Sequence, residues 1–260
     1  MCAEGPPKPD ETAVIRRALA LCLLLQRAEF ESMAQDPDVE EARQVHTAMA
    51  RRVTVRLHGE GLWDDVPERE KPLMAQPPGT WTSADVDEAH CLGDHLAALL
   101  WALSIADMPP WDTSADVEAQ IRMIQPPEGT SQPLRSGALR HEDEVRAMLS
   151  AAAAWVARAN TRLITDLSMD LTRNVDLKKL VGEAAASAHA NGYAGEPIGG
   201  DFPALGRAYR DLDEAQFRSV HLVAVQRLRA LNWLLGREES SIPSSPGART
   251  STAGPDGRAP

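Results

Sequence analysis

The chain has 260 residues, of which 43% are hydrophobic and 25% charged, an ordinary globular composition long enough for one substantial core. A formal charge of −11 argues against a sequence-independent grip on nucleic acid or an anionic membrane, while leaving room for a local basic patch. Cys2, Cys22 and Cys91 form no CxxC pair, so reduced cytoplasmic thiols are expected rather than a disulfide framework or zinc knuckle.

Residues 1–9 are Pro-rich and expected to be disordered. Asp10 predicts the N-cap of a first helix to about Met33, with Val14, Ala18, Leu21, Cys22 and Leu25 at helical spacing. Arg16 and Arg17 ahead of the apolar run Ala18–Leu25 imitate an export leader. That run is too short, Asp10 and Glu11 precede it, and Gln26 and Arg27 close it without a small-residue cleavage site. No stretch approaches the roughly 18 apolar residues that a membrane span needs.

Asp36 and Pro37 read as the cap and first residue of a second helix carrying Val39, Ala42, His46, Met49, Val53 and Leu57, with Gly61 as its stop. A short helix is expected within Pro67–Ala75. A loop then leads to a cap at Thr82 or Ser83 and one continuous helix to about Ile105. That helix contains LAALLWAL, Leu96–Leu103, apolar on every side and therefore central to a core. Thr113 is expected to cap a helix ending near Ile124. A long helix over Leu139–Leu167 follows, with Val145, Met148, Ala152, Trp155, Ala159 and Leu163 on its stripe.

After a weaker helix over Asp176–Ala190 comes Asn191–Gly206, a turn-rich stretch long enough to be a covering or functional loop. Asp211 and Glu214 read as a capping box for the last helix, whose stripe is Phe217, Val220, Ala224, Leu228, Leu231 and Leu235, with Gly236 as its end. Residues 237–260, dense in Ser, Pro, Gly and Arg, are expected to be a disordered tail. The expectation is one all-α, multi-helix domain over residues 10–236, orthogonal or bundle-like, packed around helices at 83–105, 139–167 and 212–235.

The segment RLRALNWL, Arg227–Leu234, together with LAALLWAL and with WVARAN at Trp155–Asn160, resembles the bacterial domain-of-unknown-function family number 4272. Gln226 and Leu228 depart from the acid and histidine usual in that pattern, and Asp94 and His95 stand where the family tends to have Glu-Ala. The resemblance implies an all-helical fold and a bacterial, cytoplasmic setting; it implies no activity.

Chemistry has few footholds. Cys91 and His95, four apart, would share one helix face and could chelate a metal with His46 as third ligand, but ordinary packing is the preferred reading because neither HExxH nor a second ligand pair is present. A Cys91–His95 nucleophile pair, oriented by Asp94 or Asn232, is disfavoured because both side chains would project in parallel with no oxyanion hole. GxSxG, P-loop and GxGxxG motifs are absent, so no catalytic residue, metal or cofactor is expected.

The candidate ligand-binding residues are Asp94, His95, Arg158, Arg227 and Asn232, polar groups on or beside apolar helical faces. A buried charge there must be paired. The preferred arrangement is a structural network in which Asp94 bridges Arg158 or Arg227. The alternative is a pocket in which the two arginines bind a small anion, with His95 as acid or base. The leading functional expectation is a non-catalytic protein-interaction or regulatory module with a protein partner; the alternative is a small-anion-binding or enzymatic domain. Trp63, Trp81 and Trp111, in or near loops, read first as caps on the ends of the core and second as a recognition surface.

Overall fold

Helix α1 (Glu11–Ala34) begins where the Asp10 side chain accepts from the Ala13 amide at 2.8 Å, as its spacing predicts. The computed structural model describes residues 7–35, 40–124, 138–166 and 176–237; residues 1–6 and 238–260 and the expected Asp36–Pro37 cap lie outside them. Helix α2 (Glu40–Gly59) ends before Gly61, whose φ of 65° is the left-handed turn expected there. The short α3 (Lys71–Met74) leads to α4 (Ser83–His90), started by a capping box in which Thr82 and Asp85 exchange side-chain to backbone hydrogen bonds.

The single helix expected over 83–105 is two. After α4 the chain tightens at Cys91 and Leu92, where the Leu92 amide donates to the Ala89 carbonyl, and α5 (Gly93–Ala102) follows. The break lies where α6 (Val117–Ile124) crosses: a Cβ on Gly93 would sit 2.6 Å from Val117 Cγ2, and Gln120 donates to the Gly93 carbonyl. The cap of α6 is not Thr113 but Asp116, which accepts from the Ala119 amide. All of α5 is buried, as its all-round apolarity predicts.

Helices α7 (Glu142–Asp166) and α8 (Leu177–Ala190) are joined to the last helix by the turn-rich stretch. That stretch carries a hairpin of β1 (Pro203–Ala204) and β2 (Arg207–Ala208), antiparallel with Ala204 opposite Arg207. Leu205 and Gly206 between them both have positive φ, the geometry of a two-residue hairpin turn. A 3-10 turn over Tyr209–Asp211 then precedes α9 (Glu214–Leu234). The capping box is formed by Asp213 and Gln216, two residues beyond the expected Asp211 and Glu214.

The described residues form an all-α fold with that one hairpin. Its larger core cluster gathers α1, α4, α5 and the first half of α7. A second cluster joins the other half of α7 to Phe202, Ala204, Tyr209 and the start of α9. Helix α7 enters the first cluster at Val145 and the second at Trp155, whereas α9 meets the second at Phe217 and the first at Ala230. The two therefore run antiparallel and bridge both clusters.

Candidate functional site

Three of the five buried arginines among the described residues, Arg27, Arg158 and Arg227, each fasten a loop. Arg227 on α9 reaches Asp94 on α5 through Nε at 3.1 Å and Nη2 at 2.7 Å. It also donates to the carbonyls of Pro109, Pro110 and Thr113, and lies over the Trp111 ring. A guanidinium has five N–H donors, and all five are engaged by protein. Burial pushes the Asp94 carboxyl above its ordinary range, against the pull of Arg227.

Arg158 on α7 is in a different place. Its Nε and Nη2 grip Asp201 at 2.6 and 2.7 Å, and its guanidinium covers the Tyr209 ring. Asp201 also accepts from the backbone amides of Phe202 and Arg210, tying the hairpin loop to α7. Of the two partners expected for Asp94, the structure brings it Arg227, while Arg158 pairs with Asp201. A pocket using both arginines is ruled out, since Arg227 is fully buried and saturated.

The third arginine was not singled out by sequence. Arg27 on α1 pairs with Glu31 one turn later, donates to the carbonyls of Met74 and Gln76, and lies over Trp81. Glu31 in turn accepts from the Gly79 amide. Position i,i+4 for Arg27 and Glu31 was the available signal; the apolar run ending just before Arg27 concealed it.

The other candidates have structural surroundings. His95 is buried with its Nε2 lacking a hydrogen-bond partner, and burial together with Arg17, Arg229 and Arg69 holds its pKa well below the usual histidine range. It stays neutral at physiological pH and is a poor proton carrier. Cys91 lies half-buried in the turn between α4 and α5, whereas His95 is buried within α5. Burial and the nearby Asp94, Asp87 and Glu88 carboxylates push its thiol pKa up, which removes the thiolate a nucleophile needs. No group of three or more His, Cys, Asp or Glu side chains suited to a metal occurs among the described residues. Asn232 is buried near the end of α9, where its carbonyl accepts from the amides of Leu235 and Arg237.

Trp81 is buried and donates to the Leu73 carbonyl; Trp63 stacks on His58, and Trp111 stacks on Trp155. All three cap or fill core, as the first reading of them holds.

Two clefts of similar size differ in sign. One, about 590 Å³, is walled by Glu29, Asp87, Asp94 and Glu118 with His90 and Cys91. The other, about 610 Å³, lies between α7, α8 and the loop that holds Asp201. Arg158, Arg162, Lys178 and Arg210 line it, against the single carboxylate of Asp201, and Thr161 and Thr165 add hydroxyls. Arg162 is steadied by the Leu212 carbonyl at 3.0 Å and by the Phe217 ring, and Arg210 by the Gly199 carbonyl at 3.2 Å. Of the sequence candidates only Arg158 belongs to this basic cleft. Arg162, four residues on, shares its helix face. Lys178, Asp201 and Arg210 are brought to it by the return of the chain through α8 and the hairpin. No family model matches the chain, and neither the curated proteins nor the solved structures include a match to it.

Proposed function

We propose that this chain is a non-catalytic helical binding module whose ligand is a small anion held in the basic cleft between α7, α8 and the hairpin loop. The observation that carries this reading is the grouping of Arg158, Arg162, Lys178 and Arg210 in the lining of one cleft, with Asp201 as the carboxylate of that lining and Asp211 beside Arg210, in a chain whose net charge is −11. Grouped cations repel one another, and a bound anion relieves that repulsion. Guanidinium groups match the two-oxygen edge of carboxylate and phosphate. The carbonyls and ring that hold Arg162 and Arg210 reduce the ordering that binding would otherwise require.

The non-catalytic part of the reading is supported by the raised thiol of Cys91 and the sealed, neutral ring of His95. A protein-recognition surface built on the loop tryptophans has less support, because those rings pack inward. The residues that carry the resemblance to family 4272, including Arg227, Leu231 and Leu234, are buried in α9. A fold shared with that family and a bacterial, cytoplasmic setting are carried as part of the proposal, and these buried residues name no ligand.

Calorimetric titration with inorganic phosphate and pyrophosphate at low salt tests the proposal. Binding with a dissociation constant on the order of 1 mM or tighter is expected, and weakening by about tenfold in the Lys178→Gln, Arg210→Gln double variant, the loss of two exposed charge contacts. Equal binding by the variant and the parent would place the anion elsewhere and sink the assignment.

A further inference from the structure

The basic cleft does not end at its charges. A second hollow of about 310 Å³ shares Arg158, Thr161, Leu177 and Val181 with it and continues toward Phe202. Here Leu177, Leu180, Val181 and Ala184 follow one another at the three- and four-residue steps of a single α8 face. Leu180 on that face is 50% exposed, one of the few large apolar side chains left open to water. The facing wall on α7 is made by the small side chains of Ala154 and Ala157, which leave space where larger residues would have closed the two helices together.

We infer that the cleft takes an amphipathic anion, a phosphate or carboxylate joined to a short alkyl chain or an apolar body of similar girth. The inference rests on the anion reading above and deepens it. The head group sits among Arg162, Lys178 and Arg210. The apolar body runs along α8 past Leu180 toward Phe202, in the direction of the α7 N-terminus. A bare inorganic anion would fill the charged end and leave the Leu180 face wet; an apolar molecule without charge would make no use of the charged end. The hollow of about 310 Å³ is the space that the apolar body would occupy.

The test compares hexyl phosphate, inorganic phosphate and hexanol by calorimetry on the full chain, with a Leu180→Ser variant alongside. A fully buried methylene strengthens binding about fourfold, so even partial burial of the chain predicts hexyl phosphate binding at least tenfold tighter than phosphate. Leu180→Ser, a change at an exposed position, should shrink that ratio by about threefold or more while phosphate affinity stays unchanged. Equal affinities for hexyl phosphate and phosphate would overturn the amphipathic inference and leave the anion reading standing. Binding of hexanol as tight as hexyl phosphate, or of none of the three, would overturn both.

Discussion

Arg27, Arg158 and Arg227 each combine a carboxylate partner with an aromatic ring under the guanidinium; Arg27 and Arg227 also hold loop carbonyls directly, and Arg158 holds its loop through Asp201. A buried arginine is tolerable only when its charge is answered and its donors are engaged. Removing Arg227 therefore leaves Asp94 as an unpaired buried acid and frees the carbonyls of Pro109, Pro110 and Thr113. Arg227→Met is expected to lower stability by about 3–5 kcal/mol in urea unfolding, and adding Asp94→Leu should recover part of the loss by removing the orphaned acid. His95 gives a pH dependence of defined sign. Its folded-state pKa lies below the ordinary value near 6.5, so its contribution is intact above that pH and is lost as pH falls toward the folded value. His95→Gln should flatten the fall in stability below about pH 6.5, which is at most about 1.4 kcal/mol per pH unit for one group. His221, whose pKa is also lowered by burial, leaves a residual slope in that variant. An unchanged slope in urea titrations from pH 7 to 5 would show that His95 is not the group responsible.

At the scale of elements, Gly93 decides where the central helix breaks. Alanine is normally the better helix residue, yet at Gly93 its Cβ would meet Val117 Cγ2 at 2.6 Å. Valine has little χ1 freedom with which to retreat. Gly93→Ala is thus expected to destabilise by about 1–3 kcal/mol, with Val117→Ala relieving much of that in the double variant; thermal unfolding of the four proteins reads the coupling. The existence of the long helices was legible because their apolar periods extend over many turns. Their start points were less so: Thr113 and Asp116, or Asp211 and Asp213, are equally good caps by residue type. Tertiary contacts choose between them. Arg227 draws the Thr113 carbonyl into the core, and burial of Tyr209 commits Tyr209–Asp211 to a 3-10 turn before α9 can begin.

Across the whole molecule, two core clusters share α7 and α9, and Trp111 and Leu228 pack against both. Helices common to both clusters should make them unfold together. Tryptophan fluorescence, with Trp81 in one cluster and Trp155 in the other, and far-UV circular dichroism are expected to give coincident urea transitions. Two separated transitions would show that the clusters are independent units. The clefts of opposite sign also belong to this scale, since neither is visible in any one element. Among the described residues no helix is long and apolar enough to cross a membrane, in line with the short apolar runs of the sequence.

By itself, the sequence determined the helical class, the positions of the main helices, the centrality of Leu96–Leu103 and the need of Asp94 and Arg227 for buried partners. These follow from local periodicity and from the cost of an unpaired charge in an apolar face, which neighbours along one helix already express. Only the tertiary structure decided that Arg158 turns to Asp201, that the helix expected over 83–105 breaks at Cys91 and Leu92, and that Arg162, Lys178 and Arg210 converge on one cleft. Those outcomes join residues up to 48 positions apart in the chain, from Arg162 to Arg210. Partner choice at that range depends on how helices cross and loops return, information that periodicity along a single segment does not contain.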